Sequence, residues 1–471
     1  MRDYSFGNFL SELRLQRGLT QYQLGALVGV SDKAVSKWEN GTAKPQSRLL
    51  FRLSEVLGIS VDELLSCKYL SEKKKSKGVF AMKKQLWNKA RAALTRRYGE
   101  DVPIALNNRF LTEYAEMQDT DIIVYLDMLA TLSRETKKQH QHLRIKGGVG
   151  ASFVAYLLEA TDINPLKPHY YCPYCGCVMF DNTVRDGWDL EPKSCTCKKT
   201  MVGDGHDIPF ETYRPFIHRN TSFDISLAPS FMALATDIVK DYFKDCNTEC
   251  DDKRNDGIVQ ITVISQNAAK VINLCADAEF ERYRALENAT ATSFDRIFFE
   301  RDNILREFRT GNTEGIREFS SPFVRELLSK IAPQTFGDLI QIPGLSHGTG
   351  VWSDNTELLL AEGIPAVHMV AYRDDVFNYV YEHLIKNELF DVGIAYKIAE
   401  DTRRGIYSKS GLPHETQNML KQIGVDDYFL AAIEKIKYLF PKAHAISYVK
   451  TAIILMWYKI HYPQEFNQIM L

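Results

Sequence analysis

In "LTQYQLGALVGVSDKAVSKWENG" (19–41) the apolar positions recur at intervals of three and four. Leu24, Leu27, Val28, Val30, Val35 and Trp38 thereby line one face of two short helices, joined at Gly29 and Val30. Residues 5–66 as a whole read as a run of short helices. Apolar positions then thin out: "KYLSEKKKSKG" (68–78) is lysine-rich and reads as a linker, the alternative being a solvated helix face. From about 80 to 145 the period is mostly helical. Glycine turns, a cysteine region and strands follow to about 265, and from about 267 the chain reads largely helical. Strict alternation marks "TSFDISLAPS" (221–230), which puts Asp224 and Ser226 on the same side of a strand. It also marks "GIVQITVIS" (257–265), with a helix expected in "AEFERYRALENA" (278–289).

Composition narrows the classes. A chain of 471 residues, 45% hydrophobic, builds two to four packed units. Its formal net charge of −2 gives no overall pull toward nucleic acid, so any DNA contact must come from local basic clusters. The longest apolar run, "TAIILMW" (451–457), lies between Lys450 and Lys459 and is too short to span a bilayer. There is no signal peptide, and a cytoplasmic chain without membrane partners is the expectation. The nine cysteines are partly clustered as C-x-x-C, which points to metal or chance rather than to disulfides.

Three blocks carry candidate chemistry. In the first, Ser31, Asp32, Lys33, Ser36, Lys37 and Asn40 form the polar, partly cationic face of the second helix, suited to a major groove. Thr20 caps the helix before it, with Gln21 aimed at the DNA backbone. The block resembles the Cro/XRE-type helix-turn-helix family of phage repressors. That resemblance implies that Gln21 contacts phosphate or base and that Ser31, Asp32, Lys33 and Lys37 face bases of double-stranded DNA. The alternative is a helical scaffold without DNA affinity. Asp32 would repel phosphate, though it could accept from a cytosine amino group.

In the second block, "KPHYYCPYCGCVMFDNTVRDGWDLEPKSCTCKKTMVGDGHDIPFETY" (167–213), Cys172 and Cys175 form a knuckle. Cys195 and Cys197 supply a second, tighter pair for tetrahedral, structural zinc, with Cys177 as a substitute; the alternative is a set of reduced cysteines left from a lost site. Four thiolates leave no open position for catalysis. The third block, "RIKGGVGASF" (144–153), offers Gly148, Gly150 and Ser152 as a turn for a phosphate, or as a plain tight turn.

The collinear strings "YGEDVP", "KGGVGAS", "NPLKPHYYCPYC", "DGHDIPFETY", "FDISL", "FVRELLSKIAPQTFGDLIQIPGLSHGTGVW", "YRDDV" and "KIKYLFPKAHAISYV" resemble the PolC-type alpha subunit of bacterial DNA polymerase III. The resemblance covers roughly 80–231 and 316–465. It implies a multidomain α+β chain. An all-α helix-turn-helix head (1–67) and a basic linker (68–80) precede a thumb and reduced polymerase-beta-like nucleotidyltransferase palm (81–316). The palm contains a zinc region at 169–204, and largely helical fingers (317–471) follow. By the same resemblance Gly148, Gly150 and Ser152 handle phosphate and Asp224 is the first metal-binding aspartate. Ser346, His347, Arg373, Lys442 and His444 then lie near the incoming nucleotide.

The family's second aspartate, however, falls on Ser226, and a hydroxyl cannot bridge two divalent ions. The third lies in a segment largely lost between about 232 and 316. Asp-Ile-Ser therefore reads as a broken site. Three functions remain open. The first is a non-catalytic DNA-binding protein in transcription or replication, dimeric on a palindrome. The second is an active minimal polymerase using magnesium, in which Asp207, Asp256 or Asp277 comes within about 4–6 Å of Asp224. The third is an adaptor or decoy for replisome proteins or primer–template.

Overall fold

The computed structural model describes residues 6–17, 19–57, 59, 61, 64, 77–118, 120–139, 142–214, 217, 222–243, 247–250, 258–264, 269–290, 300–364 and 369–471. The linker expected at 68–78 lies outside them up to residue 76, and so does Asp256. The chain divides into two compact units, Met1–Asp127 and Met128–Leu471.

The first unit opens with α1 (Phe6–Gln16), α2 (Gln21–Val28), α3 (Asp32–Glu39) and α4 (Ser47–Leu57). Thr20 and Gln23 form a reciprocal capping box at the start of α2, and Ser31 caps α3 by accepting from the Ala34 N–H. Gly29 ends α2 in the left-handed region (φ 81°), and a Cβ on Gly25 would meet the Val30 carbonyl at 2.7 Å. The tight turn therefore depends on two glycines. Leu24, Val28, Val35 and Trp38 are buried, and Leu27 and Val30 pack against that core. Each large apolar side chain buried there is worth about 1.5–3 kcal/mol. The helices Lys77–Tyr98 and Ile104–Gln118 belong to the same unit, with Trp87 packed at a tilt on Phe110 and edge-to-face on Tyr114.

The second unit contains two sheets and a set of helices. The larger sheet has the order β1-β6-β9-β8-β7, from β1 (Leu143–Ile145), β6 (Ser222–Leu227), β7 (Asn247–Cys250), β8 (Ile258–Ile264) and β9 (Ala269–Ala276). Phe223, Ile225, Leu227, Ile261, Ile272 and Leu274 are buried, and alternation places Asp224 and Ser226 on the opposite face of β6. The strand expected at 257–265 is β8, and the helix expected at 278–289 is Ala278–Thr290. The chain from 267 is largely helical as expected, except that β9 occupies 269–276, pairing antiparallel with β8 and parallel with β6. The smaller sheet, β3-β2-β5-β4, is built from β2 (His169–Tyr171), β3 (Val178–Phe180), β4 (Lys193–Ser194) and β5 (Thr200–Asp204). It carries the cysteines. Beyond residue 300 the described chain is helical, with Lys442–His461 as its most buried helix.

Candidate functional sites

The head presents its polar face as the sequence indicates. Ser31, Asp32, Lys33 and Lys37 are exposed and Ser36 is half-buried. Part of this face is committed locally, since the Ser31 hydroxyl caps α3, the Asp32 carboxylate accepts from the Lys33 N–H and Asn40 donates to Ser36. The Gln21 side-chain amide donates to Glu39 Oε2 at 2.8 Å. Glu39 is buried and grips Arg14 through two bonds of 2.5 and 3.0 Å. Burial raises the Glu39 pKa, but the bonds from Arg14 and Gln21 outweigh it and leave the carboxyl below its usual range. Exposed Tyr22, beside Gln21, was not singled out from the sequence.

In the larger sheet Asp224 faces Asn273 across the parallel β6–β9 pair, and Ser226 faces Cys275. Asn273 Nδ2 donates to Asp224 Oδ1 at 2.5 Å, and the Ser222 hydroxyl donates to Oδ2 at 3.4 Å. Ser226 is 2% exposed, and its antiparallel partner is Arg144 on β1. The Arg144 guanidinium is 4% exposed; it pairs with Glu279 at 3.2 Å and Asp277 at 3.9 Å and lies 4.3 Å over the Tyr448 ring. Asp277 is also held by Arg317 at 3.0 and 2.9 Å. Asp207, in the left-handed region (φ 48°), accepts from the Asn378 amide. Among the described residues no group of three His, Cys, Asp or Glu ligands gathers around Asp224. One carboxylate flanked by an amide and a hydroxyl does not fit a pair of hard dications. Asn273, Arg144 and Arg317 were missed from the sequence; the alternation of "AKVINLCA" (269–276) was the available signal.

Several of the residues assigned to the nucleotide pack near one another, since Gly150 adjoins Ala443 and His347 reaches His444 through Phe440. Ser152 is buried, its hydroxyl accepting from the Ala155 N–H as a helix cap. Gly150 is buried where a Cβ would meet Ala443 and Ile163 at 3.0 Å, and Gly148 is half-buried beside Tyr213. The His347 ring lies 5.1 Å from Phe440, and Phe440 stacks on His444, which stacks on Tyr448. Ser346 bonds the neighbouring Nδ1 of His347. Glu318 bonds His347 and raises its pKa. Burial, then the charges of Lys146 and Arg144, push His444 down to about 3. Arg373 pairs with Glu400 at 3.9 Å. Lys442 lines a separate cavity of about 480 Å³ with Lys167, Arg185, Asp207, Asp375 and Tyr379.

The cysteine block is brought together. The Sγ atoms of Cys172, Cys175, Cys195 and Cys197 all lie within 4.8 Å of one another, with Cys172–Cys197 and Cys175–Cys195 at 3.5 Å. Two tight turns form the cradle: the Gly176 N–H donates to the Cys172 carbonyl and the Lys198 N–H to the Cys195 carbonyl. The backbone N–H of Cys197 helps pull the Cys195 thiol down to about 6. These four sulfurs could hold a metal ion. Cys177 stands outside the set, packed against the small core of Tyr170 and Met201.

Comparison with known proteins agrees with this division. Residues 10–64 match the family described as helix-turn-helix. Residues 84–244 match the bacterial DNA polymerase III alpha subunit NTPase domain, and residues 270–388 its finger domain. The DNA polymerase III PolC-type of Ureaplasma parvum is 26% identical over 465 residues, covering 78% of this chain and 32% of the relative. The PolC-type enzyme of Staphylococcus aureus is 29% identical over 460 residues, covering 78% of this chain and 31% of the relative. The chain thus spans about a third of the length of these relatives. No helix among the described residues is long and apolar enough to cross a membrane. The chain joins a helix-turn-helix domain to NTPase and finger domains of the bacterial DNA polymerase III alpha subunit, and is similar to PolC-type polymerases over 78% of its length.

Proposed function

We propose that the chain is a DNA-binding protein whose helix-turn-helix selects a duplex site and whose polymerase-derived body performs no nucleotidyl transfer. The observation that carries this reading is the Asp224 carboxylate, bonded by the Asn273 amide and the Ser222 hydroxyl. Two-metal transfer needs a second carboxylate bridging ions about 4 Å apart, and here none of the cross-strand partners of Asp224 and Ser226 is a carboxylate. The charge face that remains is closed internally, since Asp277 and Glu279 are paired with Arg144 and Arg317.

In this reading the exposed Lys33 and Lys37, with Asp32 and the half-buried Ser36, read a major groove, and the protein acts in the cytoplasm on transcription or replication as a dimer on a palindrome. The cysteine cluster holds structural zinc, the thiolate set favouring a soft, tetrahedral ion with no open position. Magnesium has no part. The cavity around Lys442 and the His347–His444 stack keep a polymerase-like surface without completing its chemistry.

Primer extension on a primed template, with magnesium or manganese, tests the reading. The natural chain is expected to incorporate nothing above the background of Asp224→Ala. Incorporation that vanishes in Asp224→Ala would establish instead an active minimal polymerase.

A further inference from the structure

The tip of the small sheet exposes side chains that its metal cradle does not use. Tyr174, between the first two cysteines, is 71% exposed, and Lys199 Nζ lies 5.3 Å over its ring. Phe180 on β3 and Val202 on β5 are exposed, and alternation in the register His169↔Phe180 and Tyr171↔Val202 puts both on one face of the sheet. Lys193, Lys198 and Lys199 surround the second pair of cysteines; Lys193 lies in the field of Asp181, and Glu191 is paired with Arg301, whereas Lys198 and Lys199 have no acid beside them in sequence. A metal dication on four thiolates carries a formal charge of about −2, which three lysines outnumber. The lysines project beyond it: Lys198 and Lys199 are exposed, and Lys193 spans Met179 and Tyr170.

An exposed ring flanked by the exposed cations of Lys198 and Lys199 matches one partner chemistry: unpaired bases that stack, joined by phosphates that attract the lysines. Duplex DNA offers no free base face to Tyr174. We propose that this tip binds single-stranded DNA, with Tyr174 stacking on a base and Lys198 and Lys199 contacting phosphates. This surface belongs to neither the recognition helix nor the Asp224 site, so its test is separate from that of the proposed function.

The experiment uses the full chain and a labelled oligo-dT, with affinity read by fluorescence anisotropy across a salt series and zinc content measured on the same samples. Tyr174→Ala is expected to weaken binding about 10-fold with zinc retained, within the range for one stacked base. The pair Lys198→Ala and Lys199→Ala is expected to flatten the slope of log K against log salt by about 1.4, the value for two phosphates of a single strand. If zinc content falls in Tyr174→Ala, Tyr174→Phe and Tyr174→Leu decide the matter: binding kept by Phe and lost by Leu supports stacking. Failure of the natural chain to bind oligo-dT overturns the proposal. So does equal binding by the Phe and Leu variants, or an unchanged salt slope in the lysine pair.

Discussion

The helix-turn-helix head and the palm sheet use charge in opposite ways. In the head, one buried pair, Arg14 with Glu39, locks the helices together while Lys33 and Lys37 stay exposed on the far side. In the palm, the polar face of β6 turns toward its own neighbours: Asn273 takes Asp224, and Arg144 and Arg317 take the acids that follow β9. The first arrangement keeps free the groups a ligand would need. The second consumes them. A polar face on a strand is therefore evidence of a site only when its partners across the sheet are known.

The largest effect is expected from opening the head's lock. Arg14→Ala leaves Glu39 buried without its cation and should cost about 3–5 kcal/mol, read as lost hydrogen-exchange protection across α1–α4. Replacing both partners by methionine should recover most of that loss, because a buried pair contributes little over well-packed apolar groups. In the palm, Asn273→Asp exchanges an amide donor for a second carboxylate beside Asp224. Loss of that charged hydrogen bond should destabilise the second unit by about 1.5–3 kcal/mol, measured by denaturant titration without divalent ions. Adding Ser226→Asp should make stability respond to magnesium, with no such response expected of the natural chain.

Removing Lys33 and Lys37 tests whether the head's exposed face reads DNA. On a selected operator the pair of alanine variants should lower affinity and reduce the salt slope by up to about 1.8 if both contact phosphate. An unchanged affinity would leave the head a scaffold.

The smallest expected effect is a pH dependence below the cysteine sheet. Asp189 accepts from the Phe336 and Gly337 N–H groups at the start of a helix. Burial, then the neighbouring Asp186 charge, push it up to about 7. Because the folded value lies above the ordinary 3.8, its contribution is full below about pH 4 and fades as pH rises through 7. His444 acts in the opposite sense: pushed down to about 3, it contributes above 6.5 and loses that contribution as pH falls toward 3. Denaturant titrations from pH 4 to 8 should show Asp189→Asn reducing the stability lost on raising pH. An identical profile for variant and natural chain would contradict the assignment.

What the sequence made legible follows from how far each feature reaches along the chain. The head was readable almost residue by residue, because Thr20, Gly25, Gly29 and Val35 act within one or two helical turns of each other. The cysteine set was readable because its two turns each lie within four residues. At the palm, Asp224 and Ser226 were visible, since alternation on one strand is local. Asn273 was not: it reaches Asp224 from 49 residues away in a parallel register, which no periodicity specifies. Arg144 was hidden for the same reason, lying on an edge strand of three residues. The bond from Gln21 to Glu39 was hidden because Glu39 lies 18 residues on, at the end of α3.

On the function proposed above, the polar face of β6 around Asp224 holds no catalytic metal. Manganese titration followed by electron paramagnetic resonance tests it most directly, on the natural chain, Asp224→Ala, and the double variant Ser226→Asp with Asn273→Asp. The natural chain and Asp224→Ala are expected to bind manganese equally weakly, and the double variant is expected to gain a site. A stoichiometric manganese site in the natural chain that disappears in Asp224→Ala would contradict it.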